Sequence, residues 1–187
     1  MKFNRITSLL LISIVLIAEA CTIPSFTQTV QSQFDIATNT QNFRWDHRIY
    51  GFTPPLVTLE QSFVKQLDKN QQPQYLLFDV IILKPNQFRL EDKMYIILDD
   101  KPFSLHVQRR EDDMKIVHDD PTDALGLGST ERRHPVIRLE YILAQEVVEQ
   151  MKSAKSIQFR YYSGPDIITI SFSPEKVLQL QKLLTSV

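Results

Sequence analysis

Five side chains with ligand chemistry gather in one part of the chain: His118, Asp119, Asp120 and Asp123, with His134 beyond a polar segment. Imidazole nitrogens and carboxylate oxygens together suit zinc or another transition metal, and carboxylates alone suit calcium. The spacing matches neither. A calcium loop of the helix-loop-helix kind alternates its oxygen ligands around a central glycine, whereas Pro121 separates these aspartates. Asp-Pro and Thr-Asp pairs also open ordinary loops, so a solvated loop is the preferred reading of His118, Asp119, Asp120 and His134. The enzymatic alternative is a small metal-dependent hydrolase built on His118, Asp120 and His134.

Other constellations are weaker. Ser173-Pro174-Glu175-Lys176 has the S-x-x-K spacing of penicillin-binding enzymes but none of their partner motifs, and a helix N-cap explains the serine. Gly126-Leu127-Gly128 lacks the third glycine of a dinucleotide loop, with Glu131 in its place. Adjacent carboxylates such as Asp99-Asp100 and Asp112-Asp113 point to opposite faces of a strand and do not converge on one substrate. Arg109, Arg110, Arg132 and Arg133 form the one cationic cluster that suggests a partner surface. Glu111, Asp112, Asp113 and Glu131 beside them favour a mixed soluble face, because a binding stripe needs charges of one sign to dominate. These residues lead to the expectation of a protein that is not an enzyme, with no catalytic residue, no cofactor and no resident metal.

The elements that would carry these residues are mainly strands. FRWDHRIYGF alternates around Phe43, Trp45 and Tyr50, with Trp45 read as a core anchor in phase with Phe43. LVTLEQSFVKQL fits strand or helix and is read as strand, because KNQQPQ makes a hairpin loop before the strand YLLFDVIIL. FRLEDKMYIILDD and KPFSLHVQRR read as neighbouring strands around a tight Asp99-Asp100-Lys101 connection. A polar turn at Glu111-Asp112-Asp113 is expected before the short strand MKIVH, and HPVIRLEY follows a loop of about a dozen residues, a length at which loops are often functional or mobile. In ILAQEVVEQMKSA, Leu143, Val147, Met151 and Ala154 recur at helical spacing. SIQFRYY and IITISFS should pair as a hairpin across Ser163-Gly164-Pro165-Asp166. Ser173-Pro174 then opens a last helix with an apolar stripe of Val177, Leu180, Leu184 and Val187, widened by Leu183. The expected fold is α+β, mainly β: an antiparallel sheet or sandwich of about six to nine strands with two C-terminal helices, in the closing order strand, helix, hairpin, helix.

The start of the chain reads as an address. Lys2 and Arg5 precede an apolar run from Leu9 to Ala18, and Ala18-Glu19-Ala20 has the small-x-small form of a cleavage site. The run is shorter than the roughly 20 apolar residues that a spanning helix needs. Residues 1–21, ending at Cys21, resemble the signal peptides of bacterial lipoproteins. That resemblance implies lipid attachment at Cys21, palmitate included, and a place in the cell envelope, at the outer membrane facing the periplasm. Ala18 and Glu19 stand where that family usually has Leu and a small or uncharged residue, so cleavage after Ala20 and release into the periplasm is the alternative.

Residues 22–42 are rich in Thr, Gln, Ser and Asn and read with Cys21 as a flexible tether, so the expected organisation is 1–20 signal peptide, 21–42 tether and 43–187 one β-rich domain. A formal net charge of −1 gives no basic excess of the kind that recommends nucleic acid. Residues 43–187, a strand-rich body followed by helix, hairpin and helix, look like several uncharacterised bacterial exported proteins, a likeness that implies a fold and no activity. The function expected is therefore that of a non-enzymatic envelope lipoprotein, held to the membrane through lipid at Cys21 and binding a protein partner or an envelope component. A carrier of an apolar ligand or lipid in a β-lined cavity is the second expectation.

Overall fold

Alternation with a period of two builds the larger sheet. In β3 (Leu56–Leu67) and β4 (Pro73–Leu83) the inward positions are buried and the positions between them half-buried over most of their length. That is the pattern of central strands with a core on one side. The computed structural model describes residues 29–51, 54–118 and 131–186. Flanking β3 and β4 are β1 (Gln31–Asp35), β2 (Thr40–Tyr50), β7 (Arg109–His118) and β8 (Glu131–Ile142), in the spatial order β1-β2-β3-β4-β8-β7. A second sheet runs β10-β9-β5-β6, from β5 (Lys93–Leu98), β6 (Lys101–His106), β9 (Ile157–Ser163) and β10 (Asp166–Ser171). All neighbouring strands are antiparallel. The mainly β, two-helix architecture expected from the sequence is present, with ten strands among the described residues.

The inner faces meet through aromatic side chains. Trp45 and Phe63 stack with ring centres 5.6 Å apart, Phe63 meets Phe159 of the other sheet at 5.8 Å, and Phe159 meets Phe172 at 5.0 Å. These rings fill the space between the sheets with the offset and edge contacts that aromatic pairs prefer. Helix α1 (Gln145–Met151) links β8 to β9, and Leu143, Val147, Met151 and Ala154 are all buried as their spacing requires. Helix α2 (Pro174–Thr185) begins at Ser173, whose hydroxyl accepts from the Lys176 backbone N–H at 3.4 Å, and buries Val177, Leu180, Leu183 and Leu184. At the other end of α2, Lys65 donates through Nζ to the carbonyls of Leu184 and Ser186. Its buried stem carries a cation to the negative end of the helix dipole.

Two turns set the register of the smaller sheet. Leu98 pairs with Lys101, and Asp99 and Asp100 both have positive φ, 46° and 69°. This is a type I′ turn in which aspartates stand where glycine is commoner. The Asp99 carboxylate also accepts from the backbone N–H groups of Lys155 and Ser156, at 2.9 and 2.8 Å, and so fastens the start of β9. In the β9–β10 hairpin Gly164 takes φ 58°, and the Phe88 ring lies where its Cβ would be.

Four expectations need correction. The segment expected as a tether contributes β1 and the start of β2, because the Asp35 carboxylate accepts from the Ala37 backbone N–H and turns the chain back on itself. Glu111-Asp112-Asp113 is not a turn: β7 runs straight through it. Alternate charges on this edge strand neutralise each other, Arg109 with Glu111 at 2.6 Å and Arg110 with Asp112 at 2.9 Å. KPFSLHVQRR is not one strand either. Val107 N–H donates to Asp92 O beside the smaller sheet, while Gln108 N–H donates to Glu140 O of β8, so the chain changes sheets between adjacent residues. Lastly, Tyr50 is out of phase with Phe43 and Trp45 and is exposed.

Candidate functional site: a groove beside the β7 edge

The connection between β4 and β5 lies across one end of the sandwich. Ser163 Oγ donates to Phe88 O at 2.7 Å, Glu91 N–H donates to Tyr162 O at 2.9 Å, and Leu90 forms an isolated bridge with Ser163. Between this connection and the β7–β8 pair runs a groove of about 530 Å³, whose apolar lining includes Leu83, Phe88, Leu90, Met114, Val136 and Ile137. Leu83, Leu90, Val136 and Ile137 are buried, while Phe88 is 60% exposed and Met114 57%. Ile116, two residues beyond Met114 on the same side of β7, is 50% exposed.

Most charges in the groove are matched internally, the exposed Arg89 being the exception among the described residues. The Arg110 side chain is only 12% exposed; its Nη1 donates to Leu90 O at 2.7 Å and to an Asp92 oxygen, and its Nε donates to Asp112 at 2.9 Å. Arg110 therefore ties the connecting segment to β7 instead of offering a free cation. Asp113 accepts from the Met114 backbone N–H and lies 3.4 Å from Arg138, and both hold its carboxyl below the ordinary range. What stays unmatched, besides Arg89, is apolar surface next to a strand edge. Since among the described residues β7 pairs only with β8, about half of its backbone N–H and C=O groups face away from a described partner.

A second group of polar side chains is sealed in the core. Tyr161 of β9 donates to Asp79 Oδ2 at 2.7 Å, and Gln61 Nε2 donates to Asp79 Oδ1 at 3.1 Å and to the Tyr161 oxygen at 2.9 Å. Burial pushes the Asp79 carboxyl up to about 7, against the opposing pull of the Tyr161 and Gln61 hydrogen bonds. Burial likewise raises the Tyr161 phenol far above its ordinary value, with the Asp79 charge adding to the effect. His47 lies among Trp45, Phe63 and Phe172, and neither ring nitrogen reaches a hydrogen-bond partner among the described residues. Burial lowers it to about 3, with help from the nearby Lys176 charge; Gln61 lies close enough to oppose this slightly without completing a hydrogen bond. Acid–base groups with shifted pKa often mark catalytic sites. Here Asp79 and Gln61 are 1% and 0% exposed, and Tyr161 spans the two sheets, which makes the network a tie between layers.

The residues singled out from sequence are dispersed. His118 ends β7 opposite Glu131, and His134 pairs with Lys115, three steps along the same ladder. The His134 ring is half-buried, with Nδ1 3.0 Å from Leu83 O. Cys21, Asp119, Asp120 and Asp123 lie outside the described residues, as does Val187. Among the described residues no three His, Cys, Asp or Glu side chains converge as a metal set would, and no helix is long and apolar enough to cross a membrane. Arg109 is exposed and paired with Glu111; Arg110 is the groove tie; Arg132 and Arg133 sit on β8 opposite Val117 and Ile116. Both of the last two have interaction partners.

Sequence reading missed Phe88, Leu90 and Met114 because the groove arises only when distant segments meet. Gln61 and Asp79 did carry a signal. Each occupies the buried phase of an otherwise apolar strand, between Leu59 and Phe63 and between Leu77 and Ile81 respectively. No protein-family model matches this chain, and no curated protein matches it significantly.

Proposed function

We propose that this chain is an exported, non-enzymatic binding protein of the bacterial cell envelope. In this reading it is lipid-anchored at Cys21, faces the periplasm from the outer membrane, and takes an extended segment of a protein partner along β7. One observation carries the proposal. Arg110, Asp112 and Asp113 beside the groove are each paired, while Phe88, Met114 and Ile116 stay exposed beside an open strand edge. A strand added to β7 would gain backbone hydrogen bonds from the edge and set alternate apolar side chains into the groove. The buried Gln61, Asp79 and Tyr161 are already occupied in joining the sheets, which favours recognition over catalysis.

The groove's volume also falls in the range that small apolar ligands occupy, so a carrier role is the second reading, with the ligand in the groove and not between the ring-filled sheets. Photo-crosslinking in living cells separates the two. A crosslinker at position 114 is expected to trap one reproducible envelope protein, and one at Arg44, on the outer face of the larger sheet, none. Equal capture from both positions would sink the partner reading, whereas a bound lipid seen by native mass spectrometry would favour the carrier. Radiolabelled palmitate incorporation that vanishes in Cys21→Ala tests the anchor separately.

A further inference from the structure

The two sheets treat charge on their outward faces differently. On the larger sheet, three outward cations are answered by carboxylates, Arg44 by Asp46 at 2.7 Å, Arg48 by Glu60 at 2.6 Å and Arg138 by Asp113 at 3.4 Å, while Lys115 is not. On the smaller sheet, the outward positions of β5, β6, β9 and β10 include no Asp or Glu. Those positions hold Lys93 and Arg160, with Tyr95, Tyr162, Gln158 and Thr169 around them. The chain as a whole has 22 acidic residues against 21 basic, whereas this face carries cations and no carboxylate.

The geometry of that face is specific. Arg160 stands directly across from Tyr95 on one side and Thr169 on the other. The Tyr95 and Tyr162 rings meet edge to face with centres 6.0 Å apart, and the Lys93 ammonium sits 4.8 Å above the Tyr95 ring. Arg160 Nε is closed off from solvent and has no acceptor among the described residues. Carboxylates border the face at its strand ends, Glu91 and Asp92 before β5, Asp99 and Asp100 in the β5–β6 turn and Asp166 at the start of β10. Glu91 lies just before β5 and acts on the Lys93 charge from there. Asp99 follows β5, and its oxygens are engaged by the Lys155 and Ser156 backbone.

We propose that this face docks an acidic polysaccharide of the cell envelope. It shares with the groove reading only the setting outside the cytosol, and it lies on the outer side of the smaller sheet while the groove lies between the β4–β5 connection and the β7–β8 pair. The weakly positive C–H groups of a sugar ring settle on the negative face of an aromatic ring, which Tyr95 and Tyr162 supply. A uronate carboxylate would meet the outward nitrogens of the half-buried Arg160 guanidinium, as a charge-assisted hydrogen bond. Gln158 and Thr169 suit hydroxyl groups between the charges. Lys93 and Arg160 are diagonal neighbours, about 7–8 Å apart along the sheet. Cations this sparse fit a polymer with occasional carboxylates better than a nucleic-acid backbone with a charge on every phosphate. They also fall short of the roughly 4–8 basic residues that hold a protein to an anionic bilayer.

The experiment uses the full chain in mild detergent and measures binding to alginate, a polymer of uronic acids, at physiological salt. Neutral dextran and poly-glutamate serve as comparisons. Alginate is expected to bind at least tenfold more tightly than either, and Arg160→Gln and Thr169→Glu are each expected to weaken it about tenfold or more. Thr169 is exposed, so its variant remains informative if Arg160→Gln unfolds the sheet. Met114→Arg, in the groove, should leave alginate binding unchanged, which keeps failure of one site distinct from failure of the other. The proposal is overturned if alginate does not bind, if dextran or poly-glutamate binds as well, or if a folded Thr169→Glu protein binds like the parent.

Discussion

The Tyr161 hydroxyl donates to the Asp79 carboxylate at 2.7 Å from the opposite sheet, and Gln61 bonds to both. This is a hydrogen-bonded polar link inside a sandwich otherwise filled by apolar rings. It fixes the height at which the sheets meet, because a buried carboxylate that lost these donors would be left with no partner.

A pH dependence follows from Asp79. Its carboxyl titrates near 7 in the fold and near its ordinary 3.8 when unfolded, so the folded state holds the extra proton between those values. The resulting stabilisation is complete below pH 3.8 and is lost as pH rises through about 7. Its full span is on the order of 4 kcal/mol. Asp79→Asn mimics the protonated form and removes this slope. Urea unfolding across pH 4–8 should show the variant gaining on the parent as pH rises, and a constant difference between them would contradict the assignment.

His47 works in the opposite direction. Its ring titrates near 3 in the fold and near 6.5 when unfolded, so the stability it contributes is present above pH 6.5 and falls away as pH drops toward 3. From about pH 4 to 6.5 the two slopes therefore oppose each other, and the parent should be nearly flat with respect to this pair. His47→Phe keeps a flat ring beside Trp45, Phe63 and Phe172 and leaves the Asp79 slope exposed. Its stability should rise on acidification from pH 7 to 4 more than the parent's does. The same unfolding series checks this, and parallel curves would refute it.

Much of this arrangement was legible in the sequence. The Leu143, Val147, Met151, Ala154 stripe, the Ser173 cap and the β9–β10 hairpin are local, and each has one physical solution. The strand LVTLEQSFVKQL was harder, since its apolar spacing also fits a helix; pairing with β4 decides it. Polar residues in a buried phase, His47, Gln61, Lys65 and Asp79, were visible as breaks in alternation, but their partners come from distant segments. For Lys65 these are the last carbonyls of α2, and for Asp79 the hydroxyl of Tyr161. The charged run Arg109–Asp113 misled because alternate residues neutralise each other on a strand as well as they solvate a turn. The acid-free face of the smaller sheet has no linear signature, since it is assembled from alternate positions of four strands.

Gly164 and Phe88 give a test of how the groove wall is held. At Gly164 the backbone is left-handed, which disfavours a side chain by roughly 1–2 kcal/mol, and the Phe88 ring fills the place of a Cβ. Gly164→Ala should therefore lose about 2–4 kcal/mol, the larger part of any excess over the backbone term being overpacking against the ring. In a Phe88→Ala background the ring is gone and the backbone penalty alone remains. The same glycine substitution should then cost only about 1–2 kcal/mol, a coupling of the size seen for residues in direct contact. Urea denaturation of the four proteins measures it. Equal losses in both backgrounds would mean that Phe88 does not rest on this turn, and that the groove beside it is walled by Leu90 and Arg110 without help from the hairpin.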